Sequence, residues 1–346
     1  MTRIRLGMVG GGKDAFIGAV HRIAARIDGE YDLVAGALSS TPEKSRDSGV
    51  ALGLDADRCY GSFEEMAEAE AGREDGIEAV AIVTPNHVHG PAAAAFLRRG
   101  IHVICDKPLT ATMEQAAELE AAIRVVQVEY AQDWLTEPAE QTGTNKQAEW
   151  RTDPERSGAG GSIGDIGTHA YNLACFVTGL SMERLSADLQ SFVPGRRVDD
   201  NAHVMLRFGG GARGMLWCSQ VAPGNENGLR LRVYGEKGGL EWAQEDPNYL
   251  WFTPFGEAKR LLTRRGAGAM DAANAVSRTP GGHPEGYLEG FANIYTGAAQ
   301  AIRAAQAGQR DPVLDILPGL EEGLAGMRFI DACIRSARDD AAWVTP

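Results

Sequence analysis

Over the first third of the chain, short apolar runs alternate with helical stripes. Residues 4–9 read as a strand that leaves through Gly10-Gly11-Gly12. Val20, Ile23, Ala24 and Ile27 then recur at helical spacing. A strand over 31–38, a helix over 42–52, a short strand around Cys59 and Tyr60, and a helix over 63–71 follow. Ala79-Val80-Ala81-Ile82-Val83 is continuously apolar and is bounded by Thr84-Pro85-Asn86, as expected of a strand buried on both faces of a parallel sheet. An alanine-rich helix over 91–99 stops at Gly100, and residues 101–105 form the next buried strand. This strand–helix alternation, read five times, predicts right-handed crossovers and a parallel sheet. Ligands bind such sheets at the carboxyl ends of the strands, beside the switch in strand order. The segments at Gly10, Thr84 and Asp106 all fall at such ends.

Thr112 with Gln115 makes a capping box for a helix running through Leu119, and there the pattern changes. Residues 123–130, 204–208, 214–217 and 229–234 alternate apolar with polar, as half-solvated antiparallel strands do. Helices are expected over 170–177, 287–307 and 320–337, and residues 256–282 read as a loop without a period. The change of period places a domain boundary between 122 and 123, giving domains 1–122 and 123–346. A chain of 346 residues exceeds what one core supports, so two domains agree with its length.

The formal net charge of -13 argues against a general affinity for nucleic-acid phosphates or anionic membrane surfaces. Cys59, Cys105, Cys175, Cys218 and Cys333 are odd in number and widely spaced, which suits neither a disulfide framework nor a metal site. No apolar run is long enough to span a bilayer, and the N-terminus carries no apolar signal region. A cytoplasmic protein without a metal is the expectation.

Gly10 and Gly12 permit a tight turn and close approach to a pyrophosphate, with the next helix N-terminus behind them. Lys13 to Ile17 delay the third glycine to Gly18, so the loop is longer than the usual fingerprint and brings Phe16 and Ile17 into the expected cofactor site. Ser39-Ser40-Thr41 and Lys44 stand where an acidic residue would meet a ribose hydroxyl, which admits NADP as well as NAD. The plain alternatives are a glycine-rich turn and solvated helix charges. Lys107 precedes Pro108, which holds it extended at a strand exit. Such a lysine can hydrogen-bond a substrate hydroxyl, although a surface loop lysine is the commoner case. Asp165 and His169 share a face if a helix starts near Asp165. Histidine is the natural base for an alcohol proton, and the carboxylate can orient it or bind a second hydroxyl. A capping aspartate and a core histidine are the bland counterpart.

Gly10-Gly11-Gly12, Thr84-Pro85-Asn86 with His89, Asp106-Lys107-Pro108, and Gly160-Gly161 with Asp165 and His169 together resemble the Gfo/Idh/MocA oxidoreductases over nearly the whole chain. The resemblance implies an N-terminal Rossmann-type parallel sheet and a C-terminal α+β domain with a largely antiparallel sheet. It implies NAD or NADP as cofactor, flanked by Thr84, Pro85, Asn86, His89 and Asp106, the last replacing a usual glutamate. It implies a catalytic set of Lys107, Asp165 and His169, with His169 accepting the proton. Hydride transfer between the nicotinamide and a secondary hydroxyl of a sugar or cyclitol is the implied reaction. Asp133, Trp134, His283 and Tyr287 are expected near substrate, and a homodimer or homotetramer is expected. An NAD-dependent glycoside-cleaving enzyme and a non-catalytic nucleotide sensor are the rival readings. One departure is internal: between Ala122 and Ile123 the chain lacks a few dozen residues, where the family usually carries a strand, a loop and a helix.

Overall fold

The computed structural model describes residues 2–13, 15–105 and 123–346; of Asn86 and His87 it describes the backbone only. The chain forms two compact units, Met1–Leu109 with Gly286–Gly319, and Thr110–Glu285 with Leu320–Pro346.

In the first unit, strands β1 (Ile4–Gly10), β2 (Tyr31–Ala37), β3 (Ala79–Val83) and β4 (His102–Cys105) form a parallel sheet in the order β2-β1-β3-β4. The five expected strand–helix repeats therefore yield four strands in this sheet, because Cys59 makes only a single bridge, to Gly36. Helices α1 (Phe16–Ile27), α2 (Pro42–Ala51), α3 (Phe63–Ala71) and α4 (Asn86–Leu97) link the strands. Every residue of β3 is buried, as its unbroken apolar run requires. Leu6, Met8, Ala79 and Ala81 face one core, while Val80, Ile82, Met66 and Phe96 belong to another. Helix α4 begins before the expected start at Pro91, which lies inside it.

The sequence reading assigned residues 287–307 to the second domain, but helix Tyr287–Gln306 packs in the first unit. Its Tyr295 hydroxyl lies 2.7 Å from Nδ1 of His21 on α1, and Tyr31 donates to the Tyr295 carbonyl at 3.0 Å. Burial pushes the Tyr31 phenol well above its ordinary range. A single cut in the chain misses such a return, because amphipathic period marks a helix without naming its partner.

In the second unit, β5 (Ile123–Ala131), β6 (Met182–Gln190), β7 (Asn201–Phe208), β8 (Arg213–Ser219), β9 (Gly228–Gly235), β10 (Gly238–Ala243), β11 (Tyr249–Pro254) and β12 (Arg260–Thr263) form one sheet. Its order is β12-β11-β10-β9-β5-β8-β7-β6. Neighbours run antiparallel except β5 and β8, which are parallel. Ala202, Val204, Leu206 and Phe208 alternate inward along β7, with Ala170, Ala174, Phe329 and Ala332 in the same core. The alanine and phenylalanine positions lie on helices Thr168–Thr178 and Leu320–Arg338. Strand β12 and the short helix Asp271–Ala275 occupy part of the stretch expected to be a structureless loop. Among the described residues, no helix is long and apolar enough to cross a membrane.

Candidate functional site

The strand order of the first unit reverses between β1 and β3, the switch point where open α/β sheets bind ligands. Gly10 and Gly11 adopt φ of 76° and 69°, a left-handed conformation that glycine enters without strain. A Cβ on Gly10 would lie 2.7 Å from the Val83 carbonyl oxygen and 2.8 Å from Thr84 Cγ2, so the two strand exits touch. A Cβ on Gly12 would lie 2.6 Å from the Leu38 carbonyl oxygen at the exit of β2. The delayed glycine has a mechanical reason: a Cβ on Gly18 would lie 2.3 Å from Gly11 Cα. Helix α1 thus sits against the loop backbone, and its Arg22 guanidinium donates to the Gly11 carbonyl. Burial, then the neighbouring Arg26, lower the Arg22 pKa.

The residues fit a dinucleotide. Thr84 Oγ1 is buried beside the glycine cradle with no hydrogen-bond partner among the described residues, a donor and acceptor suited to a bound group. His89 is buried and its Nε2 lies 2.7 Å from the Thr84 carbonyl, so it buttresses this turn from within the helix. Pro85 precedes helix α4 with an extended ψ of 148°. Phe16 is 71% exposed at the start of α1, whereas Ile17 packs on the core. Ser40 and Lys44 are exposed and Ser39 half-buried at the β2 exit, with no carboxylate among residues 38–41. Replacing Gly18 with alanine forces backbone against backbone. We expect a loss of about 1–3 kcal/mol from overpacking, with NADH binding abolished in a fluorescence titration.

In the second unit, residues Ile163–Gly167 make one π-helical turn that runs into helix Thr168–Thr178. Wide turns of this kind gather at functional sites. Asp199 holds the start of this turn: its carboxylate accepts from Gly161 N at 2.7 Å, Ser162 Oγ at 2.6 Å and Ile163 N at 2.8 Å. Burial pushes the Asp199 carboxyl up, against these donors. Asp165 lies in the π-turn, and Oδ2 of its carboxylate accepts from Arg151 Nε at 3.2 Å and from Gln220 Nε2 at 2.9 Å. His169 is exposed on the following helix, its ring centroid 6.1 Å from that of Tyr130. Burial raises the Tyr130 phenol.

Asp133 and Trp134 lie on the loop after β5. The Asp133 carboxylate accepts from Gly224 N at 3.1 Å, which ties that loop down. Trp134 Nε1 donates to Gln132 Oε1 at 3.0 Å, and the Arg151 guanidinium lies 5.9 Å from its ring centroid. The structure therefore brings Asp165, Trp134 and Arg151 into one cluster. His283 is exposed in the second unit and Tyr287, 56% exposed, belongs to the first. Asp106 and Lys107 lie outside the described residues, as does the Asn86 side chain. A separate open cavity of about 440 Å³, lined by Phe192, Pro194 and Trp217 among others, contains none of the expected site residues. Among the described residues, no group of three His, Cys, Asp or Glu side chains could hold a metal ion.

The sequence reading missed Arg151, Gln132, Gln220 and Asp199. A Trp-Arg pair ahead of the glycine cluster was the available signal for Arg151. Gln220 gave none, since its approach to Asp165 follows from strand register.

A glycine cradle at the switch point of a parallel sheet, with a second unit built on a mixed sheet, defines the class of NAD-binding oxidoreductases with a Rossmann domain. The family description "Oxidoreductase family, NAD-binding Rossmann fold" matches residues 4–131, and "GFO/IDH/MocA C-terminal domain" matches residues 121–241. The chain belongs to the GFO/IDH/MocA family of oxidoreductases.

Uncharacterized oxidoreductase YfiI of Bacillus subtilis is 34% identical, over 99% of this chain and 96% of its own. That alignment runs over 380 residues against the 346 of this chain, so the relative carries residues with no counterpart here. The crystal structure of an oxidoreductase from Sinorhizobium meliloti shares 57% identity over 100% of both chains, with a TM-score of 0.87. An inositol dehydrogenase homolog from Azotobacter vinelandii, crystallised with NADH and myo-inositol, shares 33% identity over 100% of this chain and 98% of its own, with a TM-score of 0.88.

Proposed function

We propose that this protein is a dehydrogenase that uses NAD to oxidise a secondary hydroxyl of a cyclitol or sugar to the ketone. The observation that carries the reading is Asp165, held on one oxygen by Arg151 and Gln220, one turn before the exposed His169. The likeness to a homolog crystallised with NADH and myo-inositol supports the substrate class. His169 takes the hydroxyl proton as general base. Asp165 accepts a hydrogen bond from a neighbouring hydroxyl or from the imidazole and stabilises the cation that forms there. Lys107 donates to the reacting oxygen and favours its ionised form. When bound on Gly10, Gly12 and Thr84, NAD supplies the hydride acceptor. Ser39, Ser40 and Lys44 would also tolerate the 2'-phosphate of NADP. Cys59, Cys175, Cys218 and Cys333 are thiols outside any disulfide, which suits the cytoplasm as the compartment.

The test is a panel of inositols and aldoses with NAD or NADP, read by absorbance of the reduced nicotinamide. We expect cyclitol-dependent reduction of NAD, and its loss in Lys107→Ala by about 10²-fold or more. Cofactor binding without reduction by any polyol would favour the sensor reading. Glycoside cleavage without net reduction would favour the glycoside-cleaving one.

A further inference from the structure

An aspartate on a helix face ordinarily turns about its side-chain bonds, so its oxygens point nowhere in particular. Asp165 is different. Arg151 Nε and Gln220 Nε2 converge on Oδ2, which fixes the plane of the carboxylate and with it the direction of Oδ1. The two donors come from separate elements and are themselves held.

Gln220 follows β8 and is 2% exposed. Its backbone N–H donates to the Asp200 carbonyl at 2.8 Å, and its carbonyl accepts from Leu135 N at 3.1 Å. Its side-chain nitrogen also lies 3.5 Å from Gln132 Oε1, the oxygen that takes the Trp134 indole N–H. Arg151 ends helix Lys146–Arg151, with its guanidinium 4.3 Å over the Trp150 ring and Nη1 on Gln147 Oε1. A buried amide needs hydrogen-bond partners, and the side-chain nitrogen of Gln220 finds them in Asp165 and Gln132, which holds the three groups in one arrangement.

We propose that Gln220 and Arg151 are positioning residues, which together hold Asp165 as a charged acceptor of fixed direction for the substrate side of the site. This rests on the reading that Asp165 and His169 serve dehydrogenation. The division of labour is chemical. Arg151 places a positive charge against the Asp165 carboxylate, while Gln220 supplies direction without a second charge. Among the described residues, the ionisable groups near Asp165 include His169 on the following helix, Tyr130 on β5 and Cys218 on β8.

Five variants test the assignment: Asp165→Asn, Gln220→Leu, Gln220→Glu, Arg151→Lys and Arg151→Met. Gln220→Leu is expected to lower kcat/KM for the cyclitol about 10- to 100-fold, by a ratio to wild type that does not vary with pH. Gln220→Glu sets two carboxylates against one another, and a shared proton restores the missing donor. Its ratio to wild type is therefore expected to recover as pH falls. Arg151→Lys should retain more activity than Arg151→Met. A residue that only supported the fold would give neither the pH-dependent ratio nor the rescue by lysine. Tryptophan fluorescence reports whether each variant folds. Should Gln220→Leu fail to fold, Gln220→Glu and the Arg151 pair decide the matter. Wild-type kcat/KM and a flat ratio in those variants, with Asp165→Asn inactive, would overturn the positioning role and leave the function standing. Full activity in Asp165→Asn, or a wild type without turnover, would overturn both.

Discussion

His169→Ala is expected to lower kcat for cyclitol oxidation by about 10²–10⁴-fold, the usual contribution of a positioned general base. The loss should fall on kcat more than on KM, because proton removal belongs to the transition state. NADH affinity should change little, since the cradle is built from Gly10, Gly11 and Gly12 rather than from His169. The acid limb of the wild-type pH profile, set by protonation of the base, should vanish from the residual rate. Asp165→Asn should cost less than His169→Ala, because an amide still hydrogen-bonds but no longer balances an imidazolium. Equal rates for wild type and His169→Ala, across the pH range and with saturating cyclitol, would remove the histidine from the mechanism. The comparison is informative because His169 is exposed, so truncating it leaves no cavity in the core.

The first unit was legible because its elements are local. Ala79–Val83 is short, apolar and bounded by Thr84-Pro85-Asn86, which favours a buried strand over a helix, and Gly10-Gly11-Gly12 marks the turn that follows β1. Strands β6 and β10 were not legible. Met182–Gln190 carries charges between Leu185, Ala187 and Leu189, and Gly238–Ala243 opens on two glycines; both are ordered by neighbours rather than by propensity. The same distinction holds at the candidate site. Asp165 and His169 are close in sequence and could be paired on paper. Two partners of Asp165 are residues 151 and 220, and only strand pairing brings the second of these near. Gly18 lies between these cases. Its distance from Gly12 departs from the common fingerprint, but the contact with Gly11 gives it the same packing duty as the usual third glycine.

Arg196→Met is expected to be among the most destabilising single changes in the second unit, by about 3–5 kcal/mol. The Arg196 side chain is fully buried, with Glu140 Oε2 at 2.9 Å and Asp200 Oδ2 at 3.2 Å, and it also donates to the carbonyls of Leu135 and Glu137. Removing it strands two carboxylates and two carbonyls together. Asp200 keeps donors from the backbone of Phe192 and Val193, so the larger share of the penalty falls on Glu140. Burial is the largest single influence on the Glu140 carboxyl and works to raise it, but the Arg196 hydrogen bond, a backbone hydrogen bond and the Arg196 charge together outweigh it and hold the group below its ordinary value of 4.5. In the wild type, Glu140 therefore contributes stability that is present above that value and lost as pH falls through the depressed one. In Arg196→Met the sign reverses, because an unpaired buried carboxylate is relieved by taking up a proton. The stability gap between the two proteins should then begin to narrow above about pH 4.5, as the variant takes up its proton, and narrow further below it, as the wild type loses its ion pair; adding Glu140→Leu should recover part of the gap at neutral pH. All six tryptophans lie in the second unit, so urea unfolding followed by their fluorescence reads this unit rather than the whole chain. A gap that held constant from neutral pH into the acid range would show that Arg196 acts through packing and its carbonyl contacts, with the ion pair to Glu140 contributing nothing.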